Sequence, residues 1–200
     1  MTARSAPLAI DLCCGTGGWA RGLIMEGFDV IGFDVVRFVH PKCPAFPGPM
    51  VIQDVRTLSG ASWRGKVDLI VASPPCQEFS RRRMPYRRPG KARPELYDGP
   101  PDLSIVEACF RIAREAAAPL VLENTQGAVK YLGKPRHRCG PFYLWGDGVP
   151  FLLPRVGPCK MIQKPTDHRH VLRAVLRAIV PLELARAVGR YHATTWELRR

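Results

Sequence analysis

No run of eighteen apolar residues occurs in this chain, so a membrane-spanning helix is not expected. The start, Met1 to Ala6, lacks the cationic, apolar and small-residue succession of a secretory signal, so export is not expected and the cytoplasm is the expected compartment. The seven cysteines are odd in number and none form a CxxC pair, which argues against a disulfide framework, a zinc ribbon or a thioredoxin-like redox site. Acidic residues are scarce. Seventeen Asp and Glu stand against thirty Lys and Arg, a net charge of +13 that argues for a polyanionic partner, nucleic acid first.

What is present is ordinary for a globular protein: 200 residues, 46% hydrophobic and 24% charged, enough for one domain with a sizeable core. Pro (20) and Gly (18) exceed their usual joint background of about 12%, so many loops are expected. Leu8 to Leu12 reads as a strand, followed by the turn Gly15-Thr16-Gly17-Gly18 and a helix over 19–27. Further strands are expected at 29–33, 50–52, 67–72, 120–122, 142–145 and 150–153, with helices over 103–117, 169–178 and 181–191. A loop is expected from about residue 77 to 102. Strand and helix alternate, and polar residues fall just beyond the carboxyl ends of the strands. That pattern predicts a doubly wound α/β sheet with its ligands in the crevice beyond those ends.

The segment Asp11-Leu-Cys-Cys-Gly15-Thr-Gly17-Gly18-Trp19 places small residues where a strand becomes a helix, which lets the backbone approach a ligand. It holds neither the phosphate-loop Gly-Lys-Ser/Thr nor GxGxxG. Asp34 closes the next strand and Asp54 the one after. Carboxylates at those points accept hydrogen bonds from ribose hydroxyls and an adenine amino group but repel a pyrophosphate. The set therefore favours an adenosine-containing ligand with positive charge, S-adenosylmethionine (SAM) ahead of NAD or ATP. Each aspartate alone reads equally well as a helix cap.

Cys76 follows a buried strand through Ser73-Pro74-Pro75. The prolines remove donors and fix the backbone, so the thiol is expected at the crevice rim, where a nucleophile needs to be. Cys13, Cys14, Cys43 and Cys109 read as small packed residues. His137, Cys139, Cys159, His168 and His170 are too irregularly spaced for a zinc site, and no metal is expected.

These residues resemble the cytosine-C5 DNA methyltransferases. The stretch from Asp11 to Trp19 is similar to the cofactor loop of that family. Pro74-Pro75-Cys76-Gln77-Glu78-Phe79-Ser80 is similar to its catalytic segment, and Glu123-Asn124-Thr125 to its Glu-Asn-Val. Arg136-His137-Arg138 resembles its Gln-x-Arg-x-Arg without the glutamine. The piece from Pro181 to Val188 resembles the start of its last helix without the preceding asparagine. The resemblance implies a Rossmann-like mixed sheet of the SAM-dependent type and methyl transfer to C5 of cytosine in DNA, with RNA or a cytosine nucleotide as alternative substrates. It implies Cys76 as the nucleophile at C6, Glu123 as the partner of N3, and Arg138 with Arg136 at the base carbonyl or a phosphate. It further implies cofactor contacts from Asp11, Cys13, Gly15, Gly17, Gly18, Asp34, Val35, Asp54, Val55 and Pro74, with Trp19 stacked on the adenine.

Seven cations and no anion lie between Arg81 and Pro94: Arg81, Arg82, Arg83, Arg87, Arg88, Lys91 and Arg93. With Gln77 and Ser80 they are the expected nucleic-acid contacts, closing over a flipped base and making affinity salt-dependent. Family members place a recognition region before the last helix. Here only residues 146–178 remain, so the chain reads as one catalytic domain with reduced recognition, a single-stranded target, or a partner chain that supplies it.

Overall fold

The computed structural model describes residues 4–39, 43–82, 100–153 and 179–199, with 80–82 described by backbone alone. Among these, seven strands form one mixed sheet: β1 Leu8–Leu12, β2 Asp29–Asp34, β3 Met50–Ile52, β4 Leu69–Ala72, β5 Leu120–Asn124, β6 His137–Cys139 and β7 Phe142–Trp145. Their order is β3-β2-β1-β4-β5-β7-β6, parallel from β3 to β5, with β7 antiparallel to both β5 and β6. The helices are α1 Gly18–Met25, α2 Gln77–Arg82, α3 Ser104–Ala116, α4 Val129–Leu132 and α5 Leu182–Glu197.

The strands are near-continuous apolar runs because both faces of the sheet are covered, as parallel sheets require. Alternate residues separate the two layers. Ile10, Leu12, Ile70, Ala72, Leu120 and Leu122 pack towards α3, whose Val106, Cys109, Ile112 and Ala116 share their cluster. Ala9, Leu69, Val71, Val121 and Leu144 pack towards α1 and α5 through Trp19, Leu23, Leu184 and Val188. Full burial of each Leu, Ile or Val stabilises by about 1.5–3 kcal/mol, so these two layers carry most of the fold. The same alternation puts Asp11, Ser73 and Glu123 on the α1 face.

β1 pairs with β2 on one side and β4 on the other. The chain therefore winds outward in opposite directions from β1 and β4, and the crevice opens between their carboxyl ends.

Five readings from the sequence are corrected. Pro150–Leu153 is no strand: Phe151 is 94% exposed, and the neighbouring position on β7 is taken by β6, a three-residue strand whose His-Arg-Cys carries no apolar alternation. The expected loop from 77 begins instead with α2. β4 starts at Leu69, because the Val67 amide closes a turn onto the Trp63 carbonyl. β5 runs on to include Glu123 and Asn124. The last helix extends to Glu197, and the helix expected over 169–178 lies outside the described residues. No helix among the described residues is long and apolar enough to cross a membrane.

Candidate active site

The glycine turn after β1 is built from left-handed backbone. Cys13 (φ 55°), Gly15 (φ 50°) and Gly17 (φ 82°) all adopt it, which side chains other than glycine rarely tolerate. Gly18 is needed for a different reason. A Cβ there would lie 2.7 Å from the Val180 amide nitrogen, so the chain entering α5 runs directly against the start of α1. Asp34 braces the turn, accepting from the Gly15 amide and from the Val35 amide, both at 2.8 Å.

Asp11 sits beneath this turn, 1% exposed, and neither of its carboxylate oxygens has a hydrogen-bond partner. Burial raises its pKa well above the usual range. The Ala20 amide, which approaches without completing a hydrogen bond, offsets this in part, and the charge of Asp34 adds to it. Asp11 lines a cavity of about 140 Å³ together with Gly15, Gly18, Ser73 and Val180. A buried carboxylate without donors is costly unless something supplies them. A ligand bearing an amino group and a sulfonium fits that need, and Gly15, with nothing within 4 Å of its Cβ position, leaves room for its approach.

The other expected cofactor residues also make contacts within the fold. Trp19 is 1% exposed, its indole Nε1–H donating to Ser73 Oγ at 3.0 Å, and it lines the same cavity as Asp11. Val55 is buried, in the hydrophobic cluster that also holds Phe33 and Leu58. Asp54 caps the 3-10 turn Val55–Thr57 through the Arg56 amide and pairs with the Arg56 guanidinium through both oxygens. The thiol of Cys13 hydrogen-bonds that of Cys109. This bond and burial push its pKa up, so it stays neutral. By contrast Val35 is 63% exposed at the end of β2, beside an exposed Ile52 at the end of β3. This apolar surface lies next to Asp34 at the carboxyl edge of the sheet.

The second half of the site joins the loop after β4 to the end of β5. Asn124, fully buried, donates from Nδ2 to the Pro74 carbonyl at 3.1 Å and accepts from the Thr125 amide at 2.8 Å. Phe79 anchors α2 in the core, 5.9 Å from the Tyr131 ring, and its amide donates to the Cys76 carbonyl. Cys76 is thus tied on both sides, half-buried where the loop turns into α2. The motif's Phe and Asn are therefore structural members of the site.

Glu123 is 9% exposed. Burial raises its pKa to about 7, and a hydrogen bond with the Ser73 side chain opposes the shift. The acid is thus poised to exchange a proton near neutral pH. The arginines lie elsewhere. Arg138 stands opposite Tyr143, which stands opposite Asn124, so it falls on the sheet face away from Glu123. Its guanidinium lies 5.2 Å from the Tyr143 ring centroid and donates to the Gly140 carbonyl. Arg136 is exposed. Neither is brought to Glu123 in this conformation. The side chains of Ser80, Arg81 and Arg82, and all of Arg83, Arg87 and Arg88, lie outside the described residues, and Gln77 is exposed. Among the described residues no group of three His, Cys, Asp or Glu could hold a metal ion.

No curated protein sequence matches the chain. The fold is similar to that of a prophage-encoded E. coli chain described as a DNA modification methyltransferase. The TM-score is 0.43 and the identity 23%, over 64% of this chain and 35% of that one, so the present chain spans about a third of its length. The family model of C-5 cytosine-specific DNA methylases matches residues 8–130. That stretch contains Asp11, the glycine turn, Cys76 and Glu123 and stops short of Arg136 and Arg138. It is well over half of the sequence, and the chain belongs to that family.

Proposed function

We propose that this protein transfers a methyl group from SAM to C5 of cytosine in DNA through a covalent adduct on Cys76. The observation that carries the reading is the pairing of a half-buried cysteine, on the loop after β4, with a buried carboxyl poised near neutral pH, at the end of β5, the two segments being joined by the Asn124–Pro74 hydrogen bond.

C5 of cytosine is a poor nucleophile, and the residues answer that difficulty. The Cys76 thiolate forms a bond to C6 while Glu123 gives its proton to N3, so the electron pair of the C5–C6 bond is left as an enamine at C5. SAM, when bound, supplies an electrophilic methyl. Asp11, Gly15, Gly18 and Val180 would hold it, Asp11 by accepting from its cationic end, with Asp34 and Val35 towards the nucleoside. Transfer of the C5 proton to water, breakage of the C6–S bond with its electron pair leaving on sulfur, and return of the N3 proton to Glu123 then regenerate the thiolate and leave 5-methylcytosine. Arg136, Arg138 and the cations at 81–93 supply positive charge for the phosphates once DNA is bound. The short region 146–178 favours weak or externally supplied target recognition.

The test offers labelled SAM with duplex DNA, single-stranded DNA, RNA and dCMP to wild type and to Cys76→Ser. Label is expected in DNA with wild type only. Transfer by Cys76→Ser at the wild-type rate removes the adduct, and label in RNA or dCMP alone moves the substrate class.

A further inference from the structure

The row beyond the paired residues Ala72 and Leu122 brings Ser73 beside Glu123, on the sheet face covered by α1. Ser73 is fixed there by its backbone, whose amide donates to the Leu12 carbonyl at 3.2 Å. Its hydroxyl meets two side chains of opposite demand. The Trp19 indole can only donate, and it does so at 3.0 Å from a ring packed too tightly to turn away. A Ser hydroxyl has one proton, and with an indole N–H on its oxygen that proton is left for the carboxyl that the strand register sets beside it, Glu123, whose pKa the Ser73 side chain lowers.

We propose that Ser73 is the positioning residue for Glu123: with the Trp19 indole on its oxygen, it donates to one carboxyl oxygen of Glu123 and so leaves the acid proton on the other oxygen, for N3 of the cytosine. This rests on the reading of Glu123 as the N3 partner. The direction of the chain, Trp19 to Ser73 to Glu123, links the wall of the glycine turn to the catalytic acid without any charged group between them.

The other groups around Glu123 leave this role to Ser73. Leu144 of β7 is its direct neighbour, with His137 of β6 next along the same row. Asp11 of β1 lies on the same face beyond β4, and the 179–180 segment brings only Ile and Val to that side. The pKa of Glu123 is set by burial and, in the opposite direction, by the Ser73 hydroxyl, with no charged side chain among the described residues contributing.

The experiment compares wild type, Ser73→Ala, Ser73→Thr and Trp19→Phe by two readouts. One is carbon-13 NMR titration of the Glu123 carboxyl, assigned by its loss in Glu123→Gln. The other is the pH profile of single-turnover methylation of duplex DNA at saturating SAM. Losing a hydrogen bond to the ionised form moves the carboxyl midpoint up by about one pH unit in Ser73→Ala, with the alkaline limb of the rate moving alongside it. The maximal rate is expected to fall about tenfold while KM for DNA changes less than about twofold. Ser73→Thr keeps the hydroxyl and restores both readouts. Trp19→Phe frees the hydroxyl to rotate and gives a smaller shift in the same direction. An unmoved midpoint in Ser73→Ala overturns the proposal, as does a rate loss with an unmoved alkaline limb. If the wild type methylates nothing, the functional reading fails separately, and the NMR midpoint alone decides whether Ser73 governs Glu123.

Discussion

Asp11 and Glu123 occupy equivalent positions on the two halves of the sheet. Each lies at the carboxyl end of a strand, each faces α1, and each is buried with its pKa raised by that burial. They differ in what meets them. Asp11 completes no hydrogen bond and has only the Ala20 backbone amide near it, whereas Glu123 has the side-chain hydroxyl of Ser73 beside it. The difference separates two kinds of work. An orphaned carboxylate against a glycine turn is completed by a ligand's donors. A carboxyl with one weak donor and a midpoint near neutrality is suited to pass a proton back and forth.

The largest expected effect comes from Glu123→Gln. Removing a general acid costs about 10²–10⁴-fold in rate, so single-turnover methylation should fall by that range while SAM binding is kept. Stability should move the other way. In the folded chain the Glu123 midpoint is about 7, against an ordinary 4.5. The folded state therefore holds an extra proton between these values, and stability falls as pH rises from about 4.5 to about 7 and levels off above. Glu123→Gln abolishes that decline. At pH 8 it should be more stable than wild type by an amount on the order of 2 kcal/mol, read from urea unfolding, with the gap closing by pH 4.5. A variant less stable at pH 8 would mean that the ionised carboxylate has partners supplied by residues beyond those described.

Asp11→Asn should sharpen the contrast. If Asp11 waits for a cationic ligand, its loss weakens SAM binding by about 10–100-fold, the value of a charge-assisted hydrogen bond, when measured by calorimetry. It should also raise the thermal midpoint of the ligand-free protein, because an unpartnered buried acid is removed. The pairing of the two signs is the test. Weaker binding together with lower stability would show Asp11 to be a structural acid of the turn.

The parts of this site that were legible in the sequence are those set by local backbone chemistry. Glycines at a strand end and two prolines before Cys76 dictate turn shapes whatever the surroundings. The parts that were not legible depend on where a side chain points after packing. Trp19 stands beside the glycine turn in the sequence, but one residue into α1 its ring turns inward onto Ser73, and only the sheet's layering decides that. Ser73 itself gave no signal, since its role exists only because β4 and β5 run parallel in one register. The strand β6 was missed for a related reason. His137-Arg138-Cys139 has no strand pattern of its own and forms because β7 offers an edge. Arg136 and Arg138 were placed by motif spacing, and the register puts Arg138 on the other face.

The smallest effect is expected at the outer acidic pair, and it can break the comparison. Asp34 and Asp54 close neighbouring strands, and read from the sequence they have parallel roles at ribose and adenine. In the structure Asp34 spends both oxygens on the amides of Gly15 and Val35, which shape the turn that Asp11 underlies. Asp54 spends both on Arg56, in a solvent-facing pair. Such pairs contribute little. Asp34→Asn should therefore weaken SAM binding by about tenfold, since an amide cannot accept through both of its terminal atoms. Asp54→Asn should change it by less than about twofold, with only the Arg56 pairing loosened. Calorimetry on the two variants reads both numbers directly. A tenfold loss at Asp54 would mean that the carboxylate leaves Arg56 for the adenine amino group when the ligand arrives. The site would then close around the nucleoside from the outer strands as well as from the turn.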